Sequence, residues 1–209
     1  NVYVTDRYNH LIRKINVVGD TVNFRVSFAD AAGNSDSVGS TTDSSRVAVD
    51  LEAPEVSEVS IVSNNANTSY GKLDDTVTLS FKTSEPIQTP TANDVTINGL
   101  SGVTLTGNAN KTEWTAIGTV AANATGNASF SITVLDNAGN RGSPKTTTTD
   151  QTSVTLDTTA PTLSSVTLAS NNVSTNRAKS GDTLTLAFTS SEAIPAPTVT
   201  LAGSAVTAT

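Results

Sequence analysis

Cysteine and methionine are both absent from the 209 residues, histidine occurs once, and aromatic side chains make up only 4%. Each scarcity removes a class of function. Without cysteine there is no disulfide, and the fold must rest on its core and its hydrogen bonds. The lone histidine, His10, cannot build a Ser-His-Asp or Cys-His nucleophilic site, nor a zinc site of the usual His and Cys type. One Trp and three Tyr are too few to wall a sugar cleft around paired carboxylates. These scarcities predict a chain that is not an enzyme. Charged residues are also sparse, and the net charge is −7. Phosphate binding needs clustered Lys and Arg, so no nucleic-acid partner is expected, whereas acidity suits cation binding. No apolar run approaches the roughly 20 residues that span a bilayer, so no membrane insertion is expected in this segment. No signal peptide is visible either. The chain begins at Asn1 and holds no Met. It therefore reads as a piece of a longer protein whose targeting signal lies elsewhere.

What fills the sequence is Thr, Ser, Asn, Ala and Val. Thr and Val favour strands, while Asn, Gly, Ser and Pro favour turns. The chain is organised by a joint, Val154-Thr155-Leu156-Asp157-Thr158-Thr159-Ala160-Pro161, which also occurs as Val47-Ala48-Val49-Asp50-Leu51-Glu52-Ala53-Pro54. Pro54 and Pro161 are 107 residues apart. At the same offset Asp182–Phe188 matches Asp75–Phe81, Asn171-Asn172 matches Asn64-Asn65, and Ser191-Glu192 matches Ser84-Glu85. Asp136-Asn137-Ala138-Gly139-Asn140 matches Asp30-Ala31-Ala32-Gly33-Asn34 at 106, a one-residue drift that a polar loop tolerates. An internal repeat of this strength decides architecture better than propensity does.

The expected fold class is all-β: tandem immunoglobulin-like β-sandwich domains, truncated at both ends. Residues 17–49 would be the last strands of one repeat, 50–157 a complete repeat, and 158–209 the first half of another. Alternation places seven strands in the complete repeat, near 56–62, 76–82, 94–98, 101–106, 112–120, 128–135 and 150–156. Seven short strands with turn signals between them are the signature of an Ig-like sandwich. Phe81, Trp114 and Phe130 should carry much of the core. In the first partial repeat Phe24, Val26 and Phe28 share a strand face, Asp30 to Asn34 turns, a polar loop follows, and Val47–Val49 extends. Each partial repeat would leave an apolar face and open sheet edges. Asp74-Asp75 reads as a charged turn. Five Asn-x-Ser/Thr sites, at Asn67, Asn110, Asn123, Asn127 and Asn172, are expected by chance in so polar a chain.

Beyond residue 16 the chain resembles the tandem bacterial Ig-like repeats of large secreted and cell-surface proteins, adhesins among them. The residues that carry the resemblance are the Trp114 strand, Phe130 to Asn140 ending in Asp-x-Ala-Gly-Asn, the Asp-x-x-Ala-Pro joint, and the Ser-Glu after the second strand. It implies a stalk or spacer, sometimes calcium-stiffened, in an extracellular or cell-surface protein, with neighbouring repeats of the same chain as partners. Residues 1–16 form a hairpin signal with a turn at Asp6–His10. Through Val2-Tyr3-Val4, Asp6, Asn9-His10 and Ile12-Arg13-Lys14-Ile15 they resemble part of an NHL repeat. That is less than one blade, so no propeller is expected within this chain.

In a sandwich of this type the start of the first strand, the loop after the second and the loop after the sixth share one pole. That brings Asp50, Glu52, Glu85, Asp136 and Asn140 together, and Ca²⁺ takes six to eight oxygens from carboxylates, amides and carbonyls. Asp157 and Glu192 would begin the same arrangement at the next joint. A second reading stands beside the first: Asp136–Asn140 is a turn in which Asp and Asn cap and Gly takes positive φ, and Glu85 is solvated. The expected role is a non-catalytic structural or adhesion module. The alternatives are a module that binds glycan or a surface protein through loops at the sandwich pole, or a non-catalytic part of a larger enzyme containing an NHL propeller.

Overall fold

The computed structural model describes the strands Val2–Thr5 and Ile12–Ile15 and residues 22–207. The turn expected at Asp6–His10, and with it His10, lies outside the described residues. Among the described residues the secondary structure is all-β, with no helix long and apolar enough to cross a membrane. The chain forms two compact units, Asn1–Asp157 and Thr158–Thr209.

In the first unit β1 (Val2–Thr5) pairs antiparallel with β2 (Ile12–Ile15). β3 (Val26–Ala29) pairs antiparallel with β4 (Ser35–Val38), joined by the turn at Asp30–Asn34. β4 falls where the sequence suggests a polar loop. The turn reverses the chain, and backbone groups pair whatever the side chains. The extended Val47–Val49 reduces to a single bridge residue, Ala48.

The rest of this unit is built from β5 (Val56–Ser63), β6 (Tyr70–Gly71), β7 (Thr76–Thr83), β8 (Val95–Ile97), β9 (Leu100–Gly107), β10 (Glu113–Val120), β11 (Thr125–Asn127), β12 (Phe130–Ile132) and β13 (Thr155–Asp157). One sheet runs β5-β7-β10-β9, β12 pairs with β8, and β13 lies between β11 and β6. Alternation decides the inner faces: Val77, Leu79 and Phe81 on β7, and Trp114, Ala116 and Val120 on β10, are buried, while their neighbours are not. Phe130, Ile132 and Val134 join them in one apolar cluster, so the two sheets close over a common core. The Trp114 indole N–H donates to the Lys111 carbonyl at 3.1 Å, so the largest core side chain buries no unpaired polar atom.

The strand expected at 150–156 survives only as Thr155–Asp157. After the Asp136–Asn140 turn the chain doubles back beside β12 instead. Bridges at Leu135↔Arg141 and Ile132↔Lys145 and the bond from Gly142 N to Val134 O mark this return. Pro144, which has no N–H to donate, interrupts the ladder there. Gly142 passes so close to Pro54 that a Cβ would strike the Pro54 carbonyl oxygen.

The second unit has β14 (Leu163–Ser170) paired with β15 (Leu184–Ser190), and β16 (Val199–Leu201) paired with β17 (Ser204–Val206). The β14–β15 pair reproduces β5–β7 in detail. Both pairs slip register at corresponding places, between Ser57 and Ser60 and between Ser164 and Thr167. Both bulges hold a non-glycine residue at positive φ, Glu58 at 48° and Ser165 at 49°. Ser84 N donates to Glu55 O at 2.9 Å, as Ser191 N does to Thr162 O at 2.9 Å. Asn65 Nδ2 donates to Asp75 Oδ2 at 2.7 Å, and Asn172 Nδ2 to Asp182 Oδ2 at 2.8 Å. Asp75 closes the charged turn, its N–H donating to Lys72 O at 3.0 Å. It is buried, and the Asn65 side chain, then the Lys72 amide, hold its carboxyl below the ordinary range.

Candidate metal centre

The acidic pole grows from the turn at Asp136. Asp136 Oδ1 accepts from Gly139 N at 2.6 Å and Asn140 N at 2.8 Å, and Oδ2 accepts from Asn140 Nδ2 at 2.7 Å. Gly139 takes a φ of 94°, which lets the chain turn tightly enough to aim those amides at one carboxylate. Asp30 repeats the device, accepting from Ala32 N and Asn34 N at 2.9 Å and from Asn34 Nδ2 at 2.7 Å, with Gly33 at 90°. What differs is the setting. Asp30 is exposed, whereas Asp136 is fully buried.

Burial alone would push the Asp136 carboxyl up. The bonds from the Asn140 side chain, the Asn140 amide and the Gly139 amide outweigh it and hold the group below its ordinary value of 3.8. The Asp136 carbonyl oxygen also accepts from Gln88 Nε2 at 2.8 Å, which ties the segment after β7 to the turn.

Two further carboxylates converge on this turn. Asp50 comes from the chain leading into β5, and Glu85 follows β7. Asp50, Glu85 and Asp136 each offer an oxygen within 4.8 Å of the other two, the one such acidic group among the described residues. Asp50 is anchored through its carbonyl, which accepts from Asn140 Nδ2 at 3.1 Å, and its Oδ1 accepts from Glu52 N at 3.1 Å. Glu85 is held by its carbonyl, which accepts from Thr83 Oγ1 at 2.7 Å. Its carboxyl is pushed up from its ordinary value of 4.5, first by partial burial and then by the charges of Asp50, Asp136 and Glu52. None of the ion pairs among the described residues involves any of these four carboxylates. The pole thus gathers negative charge with no ion pair to a Lys or Arg among the described residues.

The expected site residues separate accordingly. Asp50, Glu85 and Asp136 meet. Glu52 stands just outside that group, close enough for its charge to be felt by Glu85. Asn140 uses its side-chain N–H groups to strap Asp50 to Asp136. Asp157 and Glu192 fall in different compact units and enter no such group among the described residues. Sequence reading missed Gln88, whose signal is weak because a single exposed Gln carries no pattern. No protein-family model matches the chain, and neither a curated protein nor a solved structure is similar to it.

Proposed function

We propose that the chain is a non-catalytic stalk or spacer, built of Ig-like sandwich repeats, in an extracellular or cell-surface protein. The observation that carries this reading is the recurrence, 107 residues apart, of the same strand pair, bulge and loop hydrogen bonds. The sheet order β5-β7-β10-β9 opposite β8–β12 supports the Ig-like assignment, because such sandwiches place strands A, B, E and D in one sheet and C and F in the other. Asp50 sits at the Val56 end of β5 and Asp157 at the Ser63 end, where Thr155 N donates to Ser69 O and Asp157 pairs with Thr125. Chain entry and exit are thus separated by the length of β5, about 26 Å for eight residues, and tension along the chain loads the whole sandwich.

The pole at Asp50 suits calcium. Oxygens on opposite sides of a Ca²⁺ ion are roughly 4.6–5.2 Å apart, which accommodates the 4.8 Å spread of the three carboxylates. Asp136 Oδ2 accepts from Asn140 Nδ2, which leaves it a lone pair for a cation. Asp50, Glu85 and Asp136 would hold the ion, and its charge would offset theirs and lock the chain leading into β5 against the two loops.

Two measurements test the reading. Pulling the chain at Asp50 and Asp157 should give one discrete lengthening of roughly 330–360 Å, the contour of 108 residues less the folded span. Gradual extension without a step would rule out a load-bearing unit. Melting in millimolar calcium and again in chelator should show stabilisation of about 2.7 kcal/mol at 100 times the dissociation constant. Identical melts would remove the metal and leave the turn as hydrogen-bond chemistry alone.

A further inference from the structure

The four-stranded sheet guards its two edges unequally, and both edges lie inside the one complete repeat. β5 is one edge and β9 the other. An edge strand offers a row of unpaired N–H and C=O groups to any second strand. β5 is closed to such pairing. Its bulge holds Glu58 at a φ of 48°, Thr149 N donates to Val59 O at 2.8 Å, and Ile61 N donates to Thr152 Oγ1 at 2.9 Å. In the facing sheet β8 and β12 pair over only three residues, which blunts their edges. β9 lacks these guards beyond its first residues. Leu100–Gly107 carries no charged side chain and no proline, and β10 is its one partner among the described residues. Its bulge lies at the start, where the register slips opposite Gly118 and Gly102 takes a φ of 62°. From Thr104 to Gly107 the strand runs in unbroken register. Asn108 N donates to Glu113 O at 2.9 Å, so the hydrogen-bonded pairs with β10 fall at Asn108, Thr106 and Thr104. Leu105 and Gly107 therefore aim their N–H and C=O groups away from β10.

We infer that β9 of one copy of this chain pairs antiparallel with β9 of a second copy about a two-fold axis at Thr106, which joins two four-stranded sheets into one of eight strands. A second copy is the occupant because the strand is complementary to itself in this register. Leu105 of each copy exchanges both backbone bonds with Gly107 of the other, and every group used is one that faces outward. The side chains fit as well. Gly107 leaves a gap on the inner face beside the Trp114 ring, where a Cβ would lie 2.7 Å from Cζ3. Leu105, half-buried against the core, stands next to that gap in the other copy. On the outer face Thr106 meets Thr106 as a non-hydrogen-bonded pair, the kind whose side chains lie closer. No charge opposes the approach from either strand. The contact is isologous, the same patch on both copies, so it closes at two. It is also small, with Thr104–Gly107 as its straight ladder, so association is weak and depends on concentration.

The test is sedimentation velocity on the full 209-residue chain at concentrations up to about millimolar. The unaltered chain should pass from monomer to dimer. Thr106→Lys and Thr106→Glu each set two like charges against one another at the axis. Either should raise the concentration needed for dimerisation by about tenfold or more. Thr106 is exposed, so neither change reaches the core. Mixed in equal amounts the two variants should form a heterodimer, because unlike charges then meet. Ser57→Glu, an exposed change on the guarded edge β5, should leave dimerisation unaltered. A strict monomer at every concentration overturns the inference. So does association that survives Thr106→Glu, association lost with Ser57→Glu, or the absence of a heterodimer on mixing.

Discussion

Leu79 and Leu186 occupy matching places in two stretches of sequence 107 residues apart, yet Leu79 is wholly buried and Leu186 is half-buried. The strands that hold them are alike to the bulge, the strained residue and the loop hydrogen bonds. The lesson concerns range. Strand pairing, bulge and loop are set by a few dozen neighbouring residues and form in both places. Burial of a core needs a second sheet from far along the chain, and among the described residues the buried apolar cluster lies between β5 and β13. The two Asp turns teach the same thing. Asp30 and Asp136 each take two backbone amides and the Asn side chain four residues on, and only Asp136 is buried.

The sharpest way to break this comparison is to cut the same side chain in both settings. Phe81→Ala should cost roughly 3–5 kcal/mol in denaturant unfolding of the sandwich, and Phe188→Ala should leave that transition within about 0.5 kcal/mol. Next in size is Gly142→Ala. The added methyl meets the Pro54 backbone and should cost roughly 1–3 kcal/mol. The matching hairpin carries Asp36 at that position, and Asp36 is exposed. Asp136→Ala, measured in chelator, should lower the melting temperature by roughly 5–10 °C, because it strands the amides of Gly139 and Asn140 in a buried turn. Asp30→Ala should leave the melting temperature unchanged.

The smallest effect is in pH dependence. Glu85 is raised in the folded state, so the unfolded chain loses that proton first. The stability Glu85 contributes therefore falls as pH rises from its ordinary 4.5 through the raised value. Asp136 and Asp75 run the other way. Their contribution is present above 3.8 and is lost as pH falls through their depressed values. Glu85→Gln should flatten the first slope and leave the acid limb intact, as urea titrations at stepped pH in chelator would show.

Much of this could be read in advance. Thr76–Thr83 and Glu113–Val120 alternate so regularly that strand and inner face follow from the pattern. Convergence of Asp50, Glu85 and Asp136 follows from strand order once a sandwich is assumed. The misses are physical. Tyr70–Gly71 and Thr125–Asn127 are too short to alternate and exist because Thr155–Asp157 lies between them. Val154 and Leu156 alternate like a long strand, but they point into the core from a segment that pairs over only three residues. Asp74-Asp75 reads as a charged turn and forms one, but the burial of Asp75 is not legible because its partner Asn65 lies across a loop. The repeat of both residues as Asn172 and Asp182 was the available clue. Asn140 was expected to offer oxygen to a cation, and the fold uses its N–H groups as a strap.

The contrast between closed and open regions is tested most directly by native-state hydrogen exchange on the full chain at low concentration. The amides of β7 and β10 should exchange together and slowly, through global unfolding, while those of β14 and β15 exchange orders of magnitude faster. Equal protection in β7 and β15 would contradict the account, because the second unit would then hold a core of its own.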